Sequence, residues 1–300
     1  MDALGTLWYF FCNVMQHPIS KKIISLGTFL LLLSSYSPGG GRFSHARQDS
    51  CSSKVASFTA DYDFFVAHTT EKRVIVENLV RIVKSRLQPS GKVEVLDFGS
   101  ARGALSEALI QNIEGLRERT TFSVVEPEAT FRKDSVSRLG SYSRNSVRAW
   151  KFLPAKFQKR FHIVLANHVL YYIDDFNSVN KRILGSLADG GVYIITLSNE
   201  DSSLVKIIES LGESQRASYI KTLEKSLDSL GAQYSYTQVQ SELKFPDSIE
   251  NRKRVLRFMF GNDYDTYREK TLLASFERYR VNENIVLPLS DNIYEIRNQR

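Results

Sequence analysis

The stretch LDFGSARGALS, residues 96–106, decides the fold of this chain. It follows the apolar run KVEV and precedes a segment whose apolar residues have helical spacing, so we interpret it as a tight turn between a buried strand and a helix. Gly99 and Gly103 lie in this turn, and Ala101 stands midway between them. Glycine-rich turns at the carboxyl ends of parallel strands are typical places for a nucleotide-like ligand.

The glycine spacing favours S-adenosylmethionine (SAM) over a dinucleotide. A dinucleotide site has the pattern G-x-G-x-x-G, and counted from Gly99 its later glycines fall on Ala101 and Ala104. The shorter pattern G-x-G-x-G matches at Gly99 and Gly103, and it suits a ligand that has no phosphates but needs backbone close to it. The methyl group of Ala101 is small enough for this ligand, and we expect the Arg102 side chain to point outward. The predicted cofactor-binding residues of this stretch are Asp97, Gly99, Ser100, Ala101 and Gly103.

The next predicted strands end in residues that suit an adenosine ligand. TFSVVEP (121–127) places Glu126 at a strand end, where an acid accepts hydrogen bonds from both ribose hydroxyls. NAD sites use the same device, so Glu126 alone does not choose between the two cofactors. Asn167, at the end of FHIVLAN, is predicted to contact the amino-acid part of the cofactor or the acceptor. Trp150 either flanks the adenine or packs within the sheet.

Strands and helices alternate from about residue 91 to 198, and the strands are apolar on both faces, as in a parallel sheet covered by helices. The helix that begins near Phe176, after a cap at Asp174 or Asp175, is expected to continue to Leu187 and to end at ADGG (188–191). We therefore predict an α/β fold: a Rossmann-like, doubly wound, mostly parallel sheet with an antiparallel C-terminal edge strand and a helical N-terminal cap. The predicted division is an apolar segment and linker (1–50), the helical cap (51–90), the SAM-binding core (91–232) and C-terminal strands with a basic helical insertion that complete the sheet (233–300).

Composition narrows the class of protein. The chain has 300 residues, of which 42% are hydrophobic and 24% charged, as in an ordinary globular protein. The net charge is +7, and the basic residues are spread along the chain and mostly alternate with acidic ones. This pattern indicates a solvated basic surface, and no nucleic-acid partner is expected. Cys12 and Cys51 are the only cysteines, so neither a disulfide framework nor a cysteine metal site can form, and no metal is expected.

The first 50 residues contain two apolar runs, LWYFF (7–11) and IISLGTFLLLLSSYS (23–37). Both are shorter than the roughly 20 residues of a membrane-spanning helix. From Met15 the order of basic, apolar and small polar residues resembles a secretory signal peptide. A membrane-surface anchor and a start placed too far upstream are the alternatives. We predict a cytoplasmic or membrane-attached protein, with membrane association through residues 7–37 and export both left open.

Four segments, in order, resemble the class I SAM-dependent methyltransferases: VLDFGSARGALSEAL, VVEP, FHIVLANHVLYYIDD and LADGGVYIITLS. Together they cover about residues 91–198. Within that family the chain is most similar to histamine N-methyltransferase-like enzymes of small amines, through AHTTEK (67–72), VVEP, LYY (170–172) and SLDSLGAQY (226–234).

The resemblance implies roles for individual residues. Gly99, Gly103 and Glu126 fall on cofactor-binding positions, whereas Phe131 replaces a polar cofactor contact. Glu71, Tyr171 and Tyr172 fall on residues of the acceptor pocket, and we predict these three and His168 to be catalytic. His168 falls where the amine methyltransferases have a glutamine, so its role as a general base or as a packing residue stays open.

These residues predict transfer of a methyl group from SAM to a small-molecule acceptor, in particular an amine nitrogen, by in-line displacement. Glu71 would orient the amine, unless it only complements the dipole of its helix. The two tyrosines would form an aromatic wall. The alternatives are an NAD(P)-dependent oxidoreductase and a non-catalytic module that keeps the fold. A nucleic-acid methyltransferase is disfavoured, because no basic stripe with interleaved aromatic residues accompanies the core.

Overall fold

The computed structural model describes residues 59–87, 91–158, 160–210, 218–261, 264 and 268–297. These residues form two compact units. One unit comprises the described residues up to His68 together with Pro246–Arg278, and the other comprises Thr69–Phe245 and the described residues from Tyr279 onward. We refer to the first as the helical unit and to the second as the sheet unit.

The sheet unit is built on one mixed sheet. Its strands are β1 (Val93–Phe98), β2 (Thr120–Val125), β3 (Arg148–Trp150), β4 (Phe161–Asn167), β5 (Leu187–Ser198), β6 (Gln233–Pro246), β7 (Arg280–Val281) and β8 (Asn284–Arg297). Their order is β3-β2-β1-β4-β5-β8-β6, and β7 pairs with β8. Strands β1 to β5 are parallel where they pair, and β8 runs antiparallel to β5. The predicted fold class is therefore confirmed, with β8 inserted between β5 and β6.

The helices are α1 (59–68), α2 (Glu71–Arg86), α3 (Ala104–Gln111), α4 (Ala129–Gly140), α5 (Phe176–Gly185), α6 (Ser203–Ser210), α7 (Ser218–Ser229), α8 (Ile249–Phe260) and α9 (Glu269–Ala274). Helix α5 begins as its sequence predicts, because the Asp175 carboxylate accepts a hydrogen bond from the Ser178 N–H. None of the helices in the described ranges is long and apolar enough to cross a membrane. The apolar runs of residues 7–37 lie outside those ranges.

Consecutive residues of the central strands enter two apolar cores on opposite faces of the sheet. Val95 of β1 packs in the core that contains Leu79 of α2, whereas Leu96 packs in the core that contains Ile183 of α5. Residues on both faces of these strands are buried, which explains why the strands are apolar without alternation.

The end of α5 differs from the prediction. The helix stops at Gly185, and Leu187 already belongs to β5 together with the ADGG segment that was expected to end the helix. Gly190 has a positive φ of 71°, and a Cβ on Gly191 would lie 2.7 Å from the Phe161 carbonyl oxygen. The β4–β5 register shifts at this point, between Phe161 and Ile163. The two glycines therefore accommodate an irregularity inside the strand pair.

The helical unit contains α1, α8 and α9. Asp61 of α1 is buried, and its carboxylate forms ion pairs with the guanidinium groups of Arg257 at 2.8 Å and Arg254 at 3.5 Å. The rings of Phe65 and Phe258 lie 4.6 Å apart. Of the predicted cap, residues 59–68 thus group with this unit and α2 groups with the sheet unit. The predicted division of the chain at residues 51, 91 and 233 stays a prediction.

Candidate active site

The winding of the sheet reverses at β1, because β2 and β3 lie on one side of this strand and β4 on the other. Ligands of doubly wound sheets bind at the carboxyl ends of the strands where such a reversal occurs. The turn that contains Gly99 follows β1, and His168 follows β4. The sheet therefore brings the two predicted groups of site residues to the same edge.

The two glycines of the turn are required by packing. Gly99 has a φ of 77°, and a Cβ on it would lie 2.4 Å from Cγ2 of Val169. Gly103 has a φ of 75°, and a Cβ on it would lie 3.2 Å from Cα and Cβ of Ser135 in α4. Glycine thus permits the left-handed backbone and the close approach of neighbouring elements at both positions. Sequence reasoning missed Val169, because its contact with Gly99 depends on the pairing of β1 with β4.

Ala101 also adopts a left-handed conformation, with a φ of 43°. This conformation costs an ordinary L-residue about 1–2 kcal/mol. The position therefore requires a residue that tolerates a left-handed backbone as well as a small side chain. The Ala101 N–H donates a hydrogen bond of 2.9 Å to Oε2 of Glu126, and this bond holds the turn against the end of β2.

Glu126 is buried, and both of its carboxylate oxygens accept hydrogen bonds from the backbone. Oε2 accepts from the Ala101 N–H, and Oε1 accepts from the Glu128 N–H at 3.0 Å. Burial raises the pKa of Glu126 above 4.5, although the two N–H donors and the nearby Arg132 oppose this rise. A carboxylate has about four lone-pair positions, so Glu126 retains acceptor capacity for the hydroxyls of a ribose.

Asp97 orders the turn from the other side. Its Oδ2 accepts a hydrogen bond of 2.6 Å from Oγ of Ser106, in the first turns of α3. Burial raises the pKa of Asp97 to about 6; the Ser106 hydroxyl opposes this rise, and the Glu126 carboxylate adds to it.

Among the buried polar atoms at this edge that have no hydrogen-bond partner in the described residues, two belong to predicted cofactor-binding residues. They are Oγ of Ser100 and Oδ1 of Asn167. A buried polar atom without a partner costs about 1–3 kcal/mol, so these atoms indicate a ligand with polar groups. The amino-acid part of SAM has such groups, and the residues of the turn therefore fit this cofactor.

The unusual arginine of the turn is directed towards α4. The Arg102 guanidinium lies 2.6 Å from Oδ2 of Asp134 and 5.0 Å from the centre of the Phe131 ring. Phe131 thus supports Arg102. Trp150 packs edge-to-face on Phe157, with 5.8 Å between ring centres, and both rings line a cavity of about 400 Å³. Trp150 is thus partly buried and also borders a cavity, so both predicted roles, packing within the sheet and flanking the adenine, stay open.

A second cluster, formed by Glu71, His168 and Asp291, lies in the sheet unit. Nε2 of His168 is 3.4 Å from Oε1 of Glu71 and 4.0 Å from Oδ1 of Asp291. Glu71 is the first residue of α2, whose start is tied to β6 because the Thr70 N–H donates to the Glu242 carbonyl at 2.9 Å. We call these three residues the Glu–His–Asp cluster.

Asp291 was not predicted. It lies in β8 opposite Ser198 of β5, and the Ser198 hydroxyl donates a hydrogen bond of 2.8 Å to its Oδ1. The signal in the sequence is the polar triplet SDN inside an otherwise apolar strand, since Ser290, Asp291 and Asn292 are all buried. A buried charged residue in a central strand is rare unless it has a partner or a function.

The neighbours of the cluster shift its protonation equilibria. Burial lowers the pKa of His168, but Glu71, Tyr171 and Asp291 together raise it well above 6.5. Burial raises the pKa of Asp291 to about 6, and Glu71 adds to this rise, whereas His168 and Ser198 oppose it. The cluster therefore favours a cation at its centre.

Of the two predicted pocket tyrosines, Tyr171 contacts the cluster. Its hydroxyl oxygen accepts a hydrogen bond of 2.6 Å from the Ser198 N–H and lies 3.3 Å from Nδ1 of His168. His168 has a φ of 51°, and its N–H donates to the Thr196 carbonyl at 3.1 Å, which fixes the imidazole beside β5. Tyr172 is 69% exposed.

A doubly wound sheet with a glycine turn, an acid at the end of β2 and a polar cluster beyond β4 defines a Rossmann-like nucleotide-binding protein. Residues 66–249 match the family model described as "Methyltransferase domain", and the chain therefore belongs to this methyltransferase family. The predicted transferase class and its SAM cofactor are thereby confirmed, and the oxidoreductase alternative is removed.

No curated protein matches the chain at a significant level. Among solved structures, the chain is similar to YcgJ of Bacillus subtilis, with 13% identity, a TM-score of 0.49 and coverage of 75% of this chain and 99% of that one. YjhP of E. coli is 15% identical, with a TM-score of 0.46 and coverage of 77% of this chain and 93% of that one. The plantazolicin methyltransferase BpumL was solved with a pentazolic desmethylPZN analog and SAH. It is 11% identical, with a TM-score of 0.48 and coverage of 81% of this chain and 91% of that one. At identities this low the likeness says nothing about the substrate.

Proposed function

We propose that this methyltransferase transfers the methyl group of SAM to the nitrogen of a small amine. The observation that carries the proposal is the Glu–His–Asp cluster, which brings two carboxylates and an imidazole within 4.8 Å of one another. Such a group attracts a small cation. The resemblance of Glu71 and Tyr171 to pocket residues of histamine N-methyltransferase-like enzymes supports the same class of acceptor.

The turn after β1 and the end of β2 would hold the cofactor. Glu126 would accept hydrogen bonds from the ribose hydroxyls, while Ser100 and Asn167 would contact the amino-acid part through their unpartnered oxygens. Asp97 would keep the turn in place through Ser106. When bound, SAM supplies a methyl group on an electrophilic sulfonium; the N–C bond forms as the C–S bond breaks, and S-adenosylhomocysteine leaves.

The acceptor must lose a proton before its nitrogen can attack. Glu71 and Asp291 would bind and orient the cationic amine, and they would also raise its pKa, so a base is needed. The positive charge of the incoming amine lowers the pKa of His168, which then releases its own proton to solvent. Its Nε2 can afterwards accept the proton of the amine. Tyr171, 3.3 Å from Nδ1, would keep the imidazole oriented for this step.

A non-catalytic binding module is the second candidate. Ala101 in place of the middle glycine, Arg102 beside it and Phe131 in place of a polar contact favour it, since all three depart from the pattern that the family resemblance implies. Formation of a methylated product would exclude this candidate.

Calorimetric titration of the full chain with SAM, S-adenosylhomocysteine and NADH tests the first step. We expect micromolar binding of the first two ligands and no heat from NADH. A folded chain that does not bind SAM would contradict the proposal. A panel of small amines and hydroxyl compounds, analysed by mass spectrometry, then identifies the acceptor; methylation of hydroxyl compounds alone would overturn the assignment of an amine.

Two variants of the same helix sharpen this test. We expect Glu71→Gln to lower kcat/KM for the amine by about 100-fold, because a buried charged contact is worth about 2–5 kcal/mol, and to leave SAM affinity unchanged. Glu77→Gln is the matched control, since the Glu77 side chain is 62% exposed and pairs only loosely with Arg73 at 3.8 Å. Equal kinetics of the two variants would contradict a role of Glu71 in acceptor binding.

A further inference from the structure

We propose that the Glu–His–Asp cluster is also a binding site for one divalent transition-metal ion of the Zn²⁺ or Mn²⁺ type, and that the ion and a cationic amine exclude each other. This inference goes beyond the proposed function and does not depend on the amine, because it needs only the three side chains.

The spacing of the three side chains suits such an ion. Ligand atoms bound about 2.1 Å from one ion lie about 3.0–3.5 Å apart. Nε2 of His168 and Oε1 of Glu71 are already 3.4 Å apart, and the distance from Nε2 to Oδ1 of Asp291 is 4.0 Å. Since the three ligand atoms lie within 4.8 Å of one another, rotamer adjustments of about 1 Å complete the site.

The site also contains buried polar atoms that lack a partner. Nε2 of His168 and Oδ2 of Asp291 are buried and make no hydrogen bond of good geometry with the described residues. The Asp291 side chain is only 1% exposed. Oδ2 of Asp291 has lost its water without a replacement, and Nε2 of His168 faces only the Glu71 oxygen at 3.4 Å, so a ligand that binds between the two atoms would satisfy both. A metal ion satisfies an imidazole nitrogen and a carboxylate oxygen at once.

Tyr171 and Ser198 orient the side chains of the cluster by hydrogen bonds, as the neighbours of metal ligands do. A metal-bound histidine usually donates the N–H of its other ring nitrogen to a fixed acceptor. The Tyr171 hydroxyl oxygen is that acceptor, 3.3 Å from Nδ1, and it is itself fixed by the Ser198 N–H. The Ser198 hydroxyl fixes Asp291 through its 2.8 Å hydrogen bond to Oδ1. The incoming ion displaces the proton of Nε2 to solvent, and with a proton kept on Nδ1 the lone pair of Nε2 then faces the ion between the carboxylates.

The donor set selects the ion. One imidazole nitrogen and two carboxylates suit Zn²⁺, Mn²⁺, Fe²⁺ or Co²⁺ better than Ca²⁺ or Mg²⁺, which prefer oxygen ligands alone. Two carboxylates balance the charge of one divalent ion. An ammonium group would use the same two carboxylates, so the two cations compete.

Binding of Mn²⁺ to the untagged full chain without SAM, followed by electron paramagnetic resonance and calorimetry, tests the inference. Mn²⁺ is the probe because it binds weakly to the thiols of Cys12 and Cys51. We expect one ion per chain. Dissociation constants should be at least about 10-fold higher for His168→Gln and Asp291→Asn than for the wild type. SAM affinity, measured in parallel, shows that each variant is folded; Glu71→Gln is the second choice if either variant fails this check.

His68→Gln is the control for adventitious histidine binding, because Nδ1 of His68 donates to the Phe64 carbonyl within α1. Loss of Mn²⁺ in this variant, or unchanged affinity in all the cluster variants, would overturn the inference, as would the absence of binding by the wild type. A further expected result is that Zn²⁺ inhibits methylation competitively with the amine and that a chelator restores it. Mn²⁺ binding without amine methylation would refute the proposed function alone, and methylation without Mn²⁺ binding would refute the metal site alone.

Discussion

Replacement of Asp97 by asparagine should change how the stability of the protein depends on pH. The Asp97 carboxyl is 3% exposed, and burial raises its pKa from 3.8 to about 6. The folded protein therefore binds a proton at this residue between pH 4 and 6 that the unfolded chain has already lost. Stability falls as pH rises wherever the folded state binds more protons than the unfolded state.

The size of the effect follows from the two pKa values. The difference between 3.8 and about 6 corresponds to about 3 kcal/mol. Asp97→Asn removes this contribution and keeps an oxygen that can accept the 2.6 Å hydrogen bond from Ser106. We therefore expect the free energy of unfolding of the wild type to fall by about 2.4 kcal/mol relative to the variant between pH 4 and pH 7.5, because the rest of the change lies below pH 4. Asp291 titrates in both proteins and is not among the groups that shift the Asp97 pKa, so its contribution cancels in the difference.

Urea unfolding followed by tryptophan fluorescence measures this difference. Trp150 lies in β3 and reports on the sheet unit, and Trp8→Phe in both proteins removes the other tryptophan. Asp189→Asn is the matched control, because Asp189 is exposed on β5, and its curve should run parallel to that of the wild type. Parallel curves for Asp97→Asn and the wild type would refute the assignment of a raised pKa to Asp97.

Two further substitutions test the turn and its partner acid. Gly99→Ala should destabilise the sheet unit by about 3 kcal/mol, because of the left-handed backbone and the clash with Val169. In a Val169→Gly background the same substitution should cost only about 1–2 kcal/mol. Equal costs in the two backgrounds would show that no clash exists. Glu126→Gln should weaken SAM binding by about 100-fold, because one of the two partly buried N–H groups of Ala101 and Glu128 loses its acceptor and the ribose loses a charged one. Glu128→Gln is the control, because the glutamine oxygen can still accept the hydrogen bond of the Phe131 N–H at the start of α4. This variant should bind SAM as the wild type does, and calorimetry compares the two variants.

The parts of the fold that depend on local pattern could be predicted from the sequence. The apolar strands β1 and β4, the turn between β1 and α3 and the cap at Asp175 follow from hydrophobic pattern, glycine and a capping carboxylate. The ADGG segment was misread because a glycine pair ends a helix as readily as it permits an irregular strand. Only the pairing of β5 with β4 shows which of the two occurs.

The candidate site could be predicted only in part. Gly99, Glu126 and His168 are recognisable because each follows a predicted strand at the edge where ligands bind. Asp291 is not, because it reaches the site through the antiparallel pairing of β8 with β5, and no local pattern specifies this pairing. The polar triplet in β8 indicates that something unusual happens there, but not which residues it meets.

The position of β8 also has a consequence for biosynthesis. This strand follows β6 in the chain yet lies between β5 and β6, and the contact that carries Asp291 to Ser198 spans 93 residues. Before β8 has been synthesised, β5 has an open edge and β6 lacks the strand next to which it lies in the sheet. Open edges of apolar strands promote aggregation. The Glu–His–Asp cluster and the protection of the sheet edge are therefore completed in the same late step, so a chain that stops before β8 lacks both.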